Sequence, residues 1–383
     1  MNGTIYMPVG EVCSSISDTY REKKNMVTLI NTSDVLEGRV LNHERVPNSN
    51  LKGQFKKTFQ RDDILYSEIR PQNRRFAYVD FSPIDYIAST KLMVIRAKKD
   101  VVSPKYLYYF LKNSSTVAEL QLLAETRSGT FPQITFSEVA NLTIPVPSLA
   151  VQEVIVQTMQ CLEDKITCNE QINDNLQQQA MSLYAEMFFN SSDSNVTSGT
   201  LSDIAVITMG QSPSGSSYNE DGVGEVFYQG RAEFGFRFPK RRLFTTEPKR
   251  MAETGDVLLS VRAPVGDLNV AYERCCIGRG LGAIHSKTGH SSFVLYTMFA
   301  LRSQLDVFNG EGTVFGSINR DALNAIPIDI PPVTEIDQFE AVAHPIDELI
   351  RANYEENCRL EAIRDSLLPK LMSGEIDISA VQL

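Results

Sequence analysis

The chain has 383 residues, of which 42% are hydrophobic, and a formal net charge of −10. This length accommodates two or three domains, and the apolar content excludes a largely disordered protein. The sequence contains no apolar run of about 18 residues, and its N-terminus lacks a basic region followed by an apolar segment. We therefore expect a cytoplasmic protein without a membrane-spanning helix.

The six cysteines are scattered, with no C-x-x-C pair and no histidine at zinc-ligand spacing. Such cysteines remain thiols in a reducing compartment. We expect neither a disulfide nor a bound metal.

Residues 1–147 combine strands and turns, and strands are predicted at Met26–Ile30 and Leu92–Ile95. Ser103 and Pro104 are start signals for a helix predicted over Tyr106–Leu123. The predicted domains are two strand-rich segments, each followed by a helical segment: 1–147, 148–190, 191–332 and 333–383.

The second strand-rich segment repeats the first. Asp63–Ser67, followed by Arg70, is matched by Asp256–Ser260, followed by Arg262. Two further features recur. A Gly-Thr pair with a later isoleucine occurs at Gly129, Thr130 and Ile134 and again at Gly312, Thr313 and Ile318, and a Pro-bounded exit occurs at Ile144–Pro147 and Ile328–Pro331. A shared framework with divergent loops is expected of two modules that bind different parts of one polymer.

Both helical segments have apolar heptads with a polar middle. Two columns match at a constant offset of 184 residues: Ile155, Leu162, Asn169, Leu176 and Leu183, and Phe339, Ile346, Asn353, Leu360 and Leu367. Paired antiparallel, the helices would place Asn169 opposite Asn353, Ile155 near Leu367 and Leu162 near Leu360. A buried Asn at such a seam selects one register. Alternatively, the polar middle is solvated or marks a kink.

The negative charge is concentrated on these helices. Residues 1–150 have a net charge of +4, whereas 151–190 have −5 and 335–383 have −7. A phosphate-facing surface is therefore possible on the strand-rich segments, and the acidic helices favour a protein partner.

Several motifs, in this order and with the duplication, resemble the specificity (S) subunit of type I DNA restriction and modification systems over essentially the whole chain. They are Met209–Ser214, Gly255–Arg262, Ile277–Leu281 and the exits Ile144–Pro147 and Ile326–Pro332. The first module departs from the pattern, because Ile16–Tyr20 replaces the Gly-x-x-Pro of Gly210–Pro213 and no Gly-Arg-Gly occurs near Ile87–Lys91. Its loops are therefore expected to be built differently.

The resemblance implies an α/β (α+β) fold with two similar target-recognition domains separated by a long antiparallel two-helix coiled coil. It implies a non-catalytic reader of double-stranded DNA that binds an asymmetric bipartite site. Two methyltransferase (M) subunits would methylate adenines with S-adenosylmethionine, and restriction (R) subunits would cleave DNA with ATP and Mg. This chain itself would bind no cofactor.

The residues agree with a non-catalytic role. The sequence has no Walker A loop and no adenine-methyltransferase motif of the Asn/Asp-Pro-Pro-Tyr/Phe type. Gly278–Gly282 is G-x-G-x-G rather than G-x-G-x-x-G, so it predicts a tight turn that presents Arg279.

Guanine readers and phosphate clamps must be Arg or Lys, and Asn and Gln suit adenine. The loop residues predicted to contact DNA are Arg70, Asn73, Arg74, Arg75, Lys91, Arg127, Gln133, Gln211, Arg231, Arg237, Lys240, Arg241, Arg242, Arg262 and Arg279. Each is alternatively a solvated or internally paired side chain. The repeat equates Arg70 with Arg262, which indicates either base contact or a shared structural pairing.

The predicted function is a DNA specificity subunit that directs M and R subunits to a split site. One alternative is a duplicated coiled-coil adaptor that joins proteins without binding DNA. Another is the specificity part of a methylation-only or antiphage system.

Overall fold

The computed structural model describes residues 4–49, 53–127, 129–189, 196–310 and 316–376. The chain forms two compact units, of which unit 1 is Met1–Thr167 with Asn357–Leu383 and unit 2 is Cys168–Glu356. Each unit thus contains one strand-rich domain and parts of the same two long helices. The predicted pair of similar domains of mixed helix and sheet, each followed by a long helix, is confirmed.

The first domain has twelve strands and four helices within its described residues. The strands are β1 (Ile5–Pro8), β2 (Cys13–Ile16), β3 (Met26–Ile30), β4 (Val35–Leu36), β5 (Arg39–Val40), β6 (Val46–Pro47), β7 (Phe55–Lys57), β8 (Ile64–Ser67), β9 (Phe76–Tyr78), β10 (Tyr86–Ser89), β11 (Leu92–Ala97) and β12 (Thr143–Val146). The helices are α1 (Val9–Val12), α2 (Pro104–Lys112), α3 (Ser114–Arg127) and α4 (Phe136–Asn141). The long helix α5 (Leu149–Phe188) follows.

The second domain repeats this order over its described part. Its strands are β13 (Thr197–Thr200), β14 (Ala205–Met209), β15 (Tyr218–Asn219), β16 (Glu225–Tyr228), β17 (Phe244–Thr245), β18 (Met251–Ala252), β19 (Val257–Ser260), β20 (Leu268–Val270), β21 (Cys275–Ile277), β22 (Leu281–Ser286) and β23 (Pro327–Ile330). Its helices are α6 (Leu201–Ile204), α7 (Ser291–Ala300), α8 (Arg302–Asp306) and α9 (Arg320–Asn324), followed by the long helix α10 (Val333–Ser373).

The strands predicted at Met26–Ile30 and Leu92–Ile95 are β3 and part of β11. The single helix predicted over Tyr106–Leu123 is wrong, because α2 and α3 are separated at Asn113. The Asn113 side chain accepts a hydrogen bond from the Ser115 backbone N–H at 3.2 Å. Asn is suited to such a break because its side chain competes with helical backbone hydrogen bonds.

The two domains have the same strand register. Ile5 pairs with Val146 in the β1–β12 ribbon, as Thr197 pairs with Ile330 in β13–β23. In each central sheet a strand lies between two antiparallel neighbours, in the orders β2-β11-β8-β9 and β14-β22-β19-β20. Because β8 and β19 are buried along their whole length, they carry continuous apolar runs rather than an alternating pattern. The recurrent framework is therefore the core of each domain.

A buried aspartate precedes β8 and β19 in equivalent positions. Asp63 accepts two hydrogen bonds of 2.7 Å from Arg96, and Asp256 lies 2.6 Å from His285 Nδ1. Each carboxylate also accepts a backbone N–H three residues earlier, which closes the turn into the strand. Burial raises the pKa of Asp256, and the contact with His285 acts in the opposite direction.

The long helices pack antiparallel within each unit. In unit 1, Asn357 donates to the Ile166 carbonyl, and the core joins Ile155 to Leu371. In unit 2, Phe339 packs against Tyr184 and Phe188, with ring centroids 5.5 and 5.6 Å apart.

The predicted register of the polar layer is wrong by about one helical turn. Asn169 donates to Glu356 Oε2 at 2.7 Å, and Asn353 donates to Asn173 Oδ1 at 2.8 Å. The heptads define the face of each helix, whereas partner identity depends on which buried polar groups satisfy one another. The ten predicted seam residues are all buried or half-buried: Ile155, Leu162, Asn169, Leu176, Leu183, Phe339, Ile346, Asn353, Leu360 and Leu367.

Arg96→Met should destabilise unit 1 by about 3 kcal/mol, because it leaves the Asp63 carboxylate buried without its charge partner. Urea unfolding monitored by circular dichroism measures the change. Lys99→Met is the matched control, since Lys99 is an exposed partner of Asp62 and its loss should change stability by less than about 1 kcal/mol. Equal shifts for both variants would contradict the structural role of the Asp63–Arg96 pair.

Candidate nucleic-acid interface

A strained turn carries the arginines that follow β8. Arg70 and Arg74 flank a single 3₁₀ turn, and both have left-handed backbones with φ of +43° and +51°. This conformation is unfavourable by about 1–2 kcal/mol for a residue with a Cβ atom, so the surroundings must enforce it. Arg70 N–H donates to the Pro132 carbonyl at 3.1 Å, and Gln72 N–H donates to Gln121 of α3 at 3.2 Å.

The turn lies beside two further predicted DNA-binding residues. Ile69 forms a β-bridge with Gln133, and Lys91 Nζ donates to Gln133 Oε1 at 3.2 Å and to Glu68 at 3.3 Å. The fold therefore brings Arg70, Lys91 and Gln133 together from three separate parts of the first domain.

The other predicted residues of this domain have internal partners. Arg74 donates to Ser114 Oγ at 3.0 Å, and Arg75 donates to the carbonyl of Ser33 at 3.0 Å. Arg127 forms an ion pair with Glu138 at 3.2 Å. Within the described ranges, the side chains of Arg70 and Asn73 have no hydrogen bond or ion pair, so they are the most available to a ligand.

In the second domain, close packing of glycines creates the turn that presents Arg279. A Cβ atom on Gly210 would lie 2.1 Å from the Gly278 carbonyl oxygen, and one on Gly280 would lie 2.8 Å from that of Gln229. Leu281 N–H donates to the Gly278 carbonyl at 3.0 Å, which closes a four-residue turn. The turn predicted from Gly278–Gly282 is confirmed.

The turn holds Arg279 loosely. Its backbone N–H donates to Ser212 Oγ at 3.2 Å, and its Nε lies 3.5 Å from the same oxygen. The adjacent Gln211 is exposed and is anchored through its backbone to Ile277. Arg279 and Gln211 thus occupy one exposed edge of the second domain.

The structural repeat does not equate Arg70 with Arg262, which corrects the sequence alignment. Ile134 N–H donates to the Glu68 carbonyl, and Ile318 N–H donates to the Val261 carbonyl. These bonds make Glu68 equivalent to Val261, so the next residues, Ile69 and Arg262, are also equivalent. Ile69 forms a β-bridge with Gln133, and Arg262 forms the matching bridge with Ser317. Arg70 corresponds to Ala263, so the two arginines have different positions on the shared framework. The predicted match of Gly312 and Thr313 lies outside the described residues.

The segment between β16 and β17 contains five predicted DNA-binding residues, and four of them are exposed: Arg231, Lys240, Arg241 and Arg242. Arg231 pairs with Asp267, Arg241 with Glu273 and Arg242 with Glu233. The hydrogen bond to Glu233 raises the pKa of Arg242. The Arg231 and Arg241 pairs lie at the surface and contribute little to stability, so these cations remain free to exchange a carboxylate for a phosphate. Glu233 is buried, so Arg242 is held more firmly by its partner.

The fifth residue, Arg237, is only 4% exposed. It donates to Asp347 Oδ1 at 2.6 Å, to Gln177 at 3.0 Å and to the Tyr296 hydroxyl at 3.4 Å. The prediction that Arg237 contacts DNA is therefore wrong, because the guanidinium is buried against the long helices.

Arg237 belongs to a cluster that occurs in both units. Tyr296 of α7 donates to Asp347 of α10 at 2.9 Å, and Tyr109 of α2 donates to Glu163 of α5 at 2.8 Å. The cation that completes the first cluster is Lys112, which contacts Glu163. Burial lowers the pKa of Lys112, and Glu163 opposes that change.

Sequence reasoning did not single out these clusters. The signal was present, because Glu163 and Asp347 have the same offset of 184 residues as the matched heptads.

The family model of the type I restriction modification DNA specificity domain matches residues 6–178 and 193–355. The chain belongs to this family. It is 30% identical over 336 residues to the putative type I restriction enzyme MjaX specificity subunit of Methanocaldococcus jannaschii, and the alignment covers 82% of this chain and 79% of that protein.

Two solved structures are similar to this specificity subunit over nearly its whole length. One is described as "Structural basis underlying complex assembly and conformational transition of the type I R-M system". It is 26% identical with a TM-score of 0.50, and the match covers 98% of this chain and 99% of that chain. The other is the S subunit of a type I restriction-modification system from M. genitalium, with 16% identity, a TM-score of 0.54 and coverage of 98% and 97%. At its lower identity, the second likeness shows the fold alone.

Family membership favours a DNA specificity subunit over an adaptor that never binds DNA. Among the described residues, no group of three or more His, Cys, Asp or Glu side chains is arranged to hold a metal ion. No helix in the described ranges is long and apolar enough to cross a membrane. The six cysteines are free.

Gly280→Ala should destabilise the second domain by about 1–3 kcal/mol, since the added Cβ collides with the Gln229 backbone. Thermal unfolding followed by circular dichroism tests this. Gly230→Ala is the control in the same region, because a Cβ there meets no atom within 4 Å. An unchanged unfolding temperature for Gly280→Ala would show that the turn is not closely packed.

Proposed function

We propose that this chain reads an asymmetric bipartite site on double-stranded DNA, with residues 1–147 recognising one half and 191–332 the other. The observation that carries the proposal is that the two domains have the same strand pairing in their core but present different basic loops. The first domain presents Arg70 and Asn73 on a strained turn, whereas the second presents Arg279 and Gln211 on a glycine turn. One framework with two loop sets is the arrangement needed to read two sequences.

The predicted residues fall into two proposed classes. Arg70, Asn73, Gln211, Lys240, Arg262 and Arg279 are exposed and have no acidic partner among the described residues, so they are proposed to read bases or the nearest phosphates. The remaining surface residues are already engaged and are proposed to position the backbone: Arg74, Arg75, Lys91, Arg127, Gln133, Arg231, Arg241 and Arg242.

The chain is proposed to act without catalysing a reaction itself, in the cytoplasm, where its DNA substrate is found. The helical segments 148–190 and 333–383 would hold two M subunits, which methylate adenine with S-adenosylmethionine. R subunits would add cleavage that depends on ATP and Mg. The supporting feature is a pair of exposed apolar residues one heptad apart on the part of the acidic helix α10 that lies in unit 2: Val342 and Leu349.

Binding assays on the chain assembled with its M subunits test this function. Methylated adenines mapped in the host genome supply the candidate duplex, and duplexes altered in either half serve as competitors. We expect each alteration to weaken binding, and affinity to fall steeply with salt because phosphate contacts release counterions. Equal affinity for all duplexes would contradict the proposal.

Arg279→Ala should reduce discrimination at one half-site by about tenfold, the contribution of one good base contact, and leave the other half unchanged. Competition binding against both altered duplexes measures the two ratios. Arg274→Ala is the control, since Arg274 is an exposed arginine of the same domain that pairs with Glu225 and Glu253. If Arg279→Ala behaves like Arg274→Ala, the glycine turn does not read bases.

A further inference from the structure

The two buried clusters on the long helices differ in where their cation originates. In the first, Lys112 and Tyr109 both belong to α2, so a single helix supplies both partners of Glu163. In the second, Tyr296 comes from α7, but Arg237 comes from the segment between β16 and β17. Only the second cluster therefore ties a loop segment of its domain to a long helix.

This segment is folded tightly around its anchor. Asn269 Nδ2 donates to the Gly235 carbonyl at 2.9 Å, and the Arg237 carbonyl accepts from Val270 N–H at 2.8 Å. Phe238 packs against Tyr272 and against Tyr354 of α10, with ring centroids 5.6 and 5.0 Å apart. Arg237 and Phe238 thus face the helices together.

The same segment carries four exposed cations. Arg231 lies before the anchor, and Lys240, Arg241 and Arg242 lie just after it. Two backbone hydrogen bonds hold the segment on both sides of the anchor: Val270 N–H of β20 donates to the Arg237 carbonyl, and Lys240 N–H donates to the Glu233 carbonyl, each at 2.8 Å. Because the last three cations lie three to five positions after the anchor, we expect displacement of the anchor to move them.

We propose that Arg237, held by Asp347, Gln177 and Tyr296, is a positioning residue that sets the pose of the Arg231–Arg242 segment on DNA at one half-site. The equivalent cation Lys112 has no such role, since it belongs to α2 rather than to a DNA-facing segment. The inference rests on the proposed function, because it assigns how that reading surface is held. It makes the long helix part of the recognition of one half-site rather than only a connection.

The variant Arg237→Met removes the charge and its hydrogen bonds while it keeps a long side chain. In the assembled complex, it should reduce discrimination at one half-site by about tenfold, because Lys240, the residue of this segment that is proposed to read bases, would lose its pose. Discrimination at the other half-site should stay within about twofold of wild type, because residues of the other unit share none of the hydrogen bonds of Arg237. The readout is a ratio of affinities, so a reduced fraction of folded protein does not change it.

Three further variants make the result specific to the anchor. Asp347→Asn keeps the shape of the acceptor but removes its charge, and it should lower discrimination at the same half-site. Arg237→Lys keeps the positive charge and should retain most of the wild-type discrimination there. Lys112→Met removes the matching cation of the first cluster and should leave both ratios within about twofold of wild type.

The outcomes separate the two proposals. If wild type prefers the split site but Arg237→Met keeps wild-type discrimination at both half-sites, the positioning role is wrong and the proposed reading function stands. A similar loss at both half-sites, or an equal effect of Lys112→Met, would also overturn it, since each indicates general loosening. If wild type shows no preference between duplexes, the proposed function itself fails.

Discussion

In each unit, the domain contacts a half-buried carboxylate of the long helix. Glu163 and Asp347 each accept a tyrosine hydroxyl and a cation from the domain that packs on the helix. A partly desolvated carboxylate is stabilised by such partners, so these contacts favour one docking of the domain on the helix. This requirement links the apolar packing of the helices to the position of the loops in the same unit.

The same logic explains the polar layer in the middle of the helix pair. Asn169 with Glu356 and Asn173 with Asn353 place donors against acceptors where apolar residues would pack more tightly. Such a layer lowers stability but rejects other registers, since a slipped pair would leave the same groups buried and unsatisfied. The aromatic contacts of Phe339 with Tyr184 and Phe188 fix the register independently.

The candidate interface shows how a framework shared by the two domains accommodates different loops. The buried aspartates before β8 and β19 keep the same turn with different partners, Arg96 and His285. The two domains specialise different loops: the first has strained residues, Arg70 and Arg74, after β8, and the second has close glycine packing between β21 and β22. Since each of these aspartates finds its partners within the framework, the loops beyond can change without leaving that carboxylate unpaired.

The sequence by itself determined the duplication, the long helices, the fold class and the glycine turn at Arg279, because these follow from periodicity and from backbone constraints that each segment carries alone. Tertiary structure decided the helix register, the break at Asn113, the displaced equivalence of Arg70 and the burial of Arg237. Each of these depends on which distant group satisfies a polar atom or fills a gap. An arginine in a loop looks the same in sequence whether it faces solvent or a buried aspartate, and only the folded chain distinguishes Arg237 from Arg279.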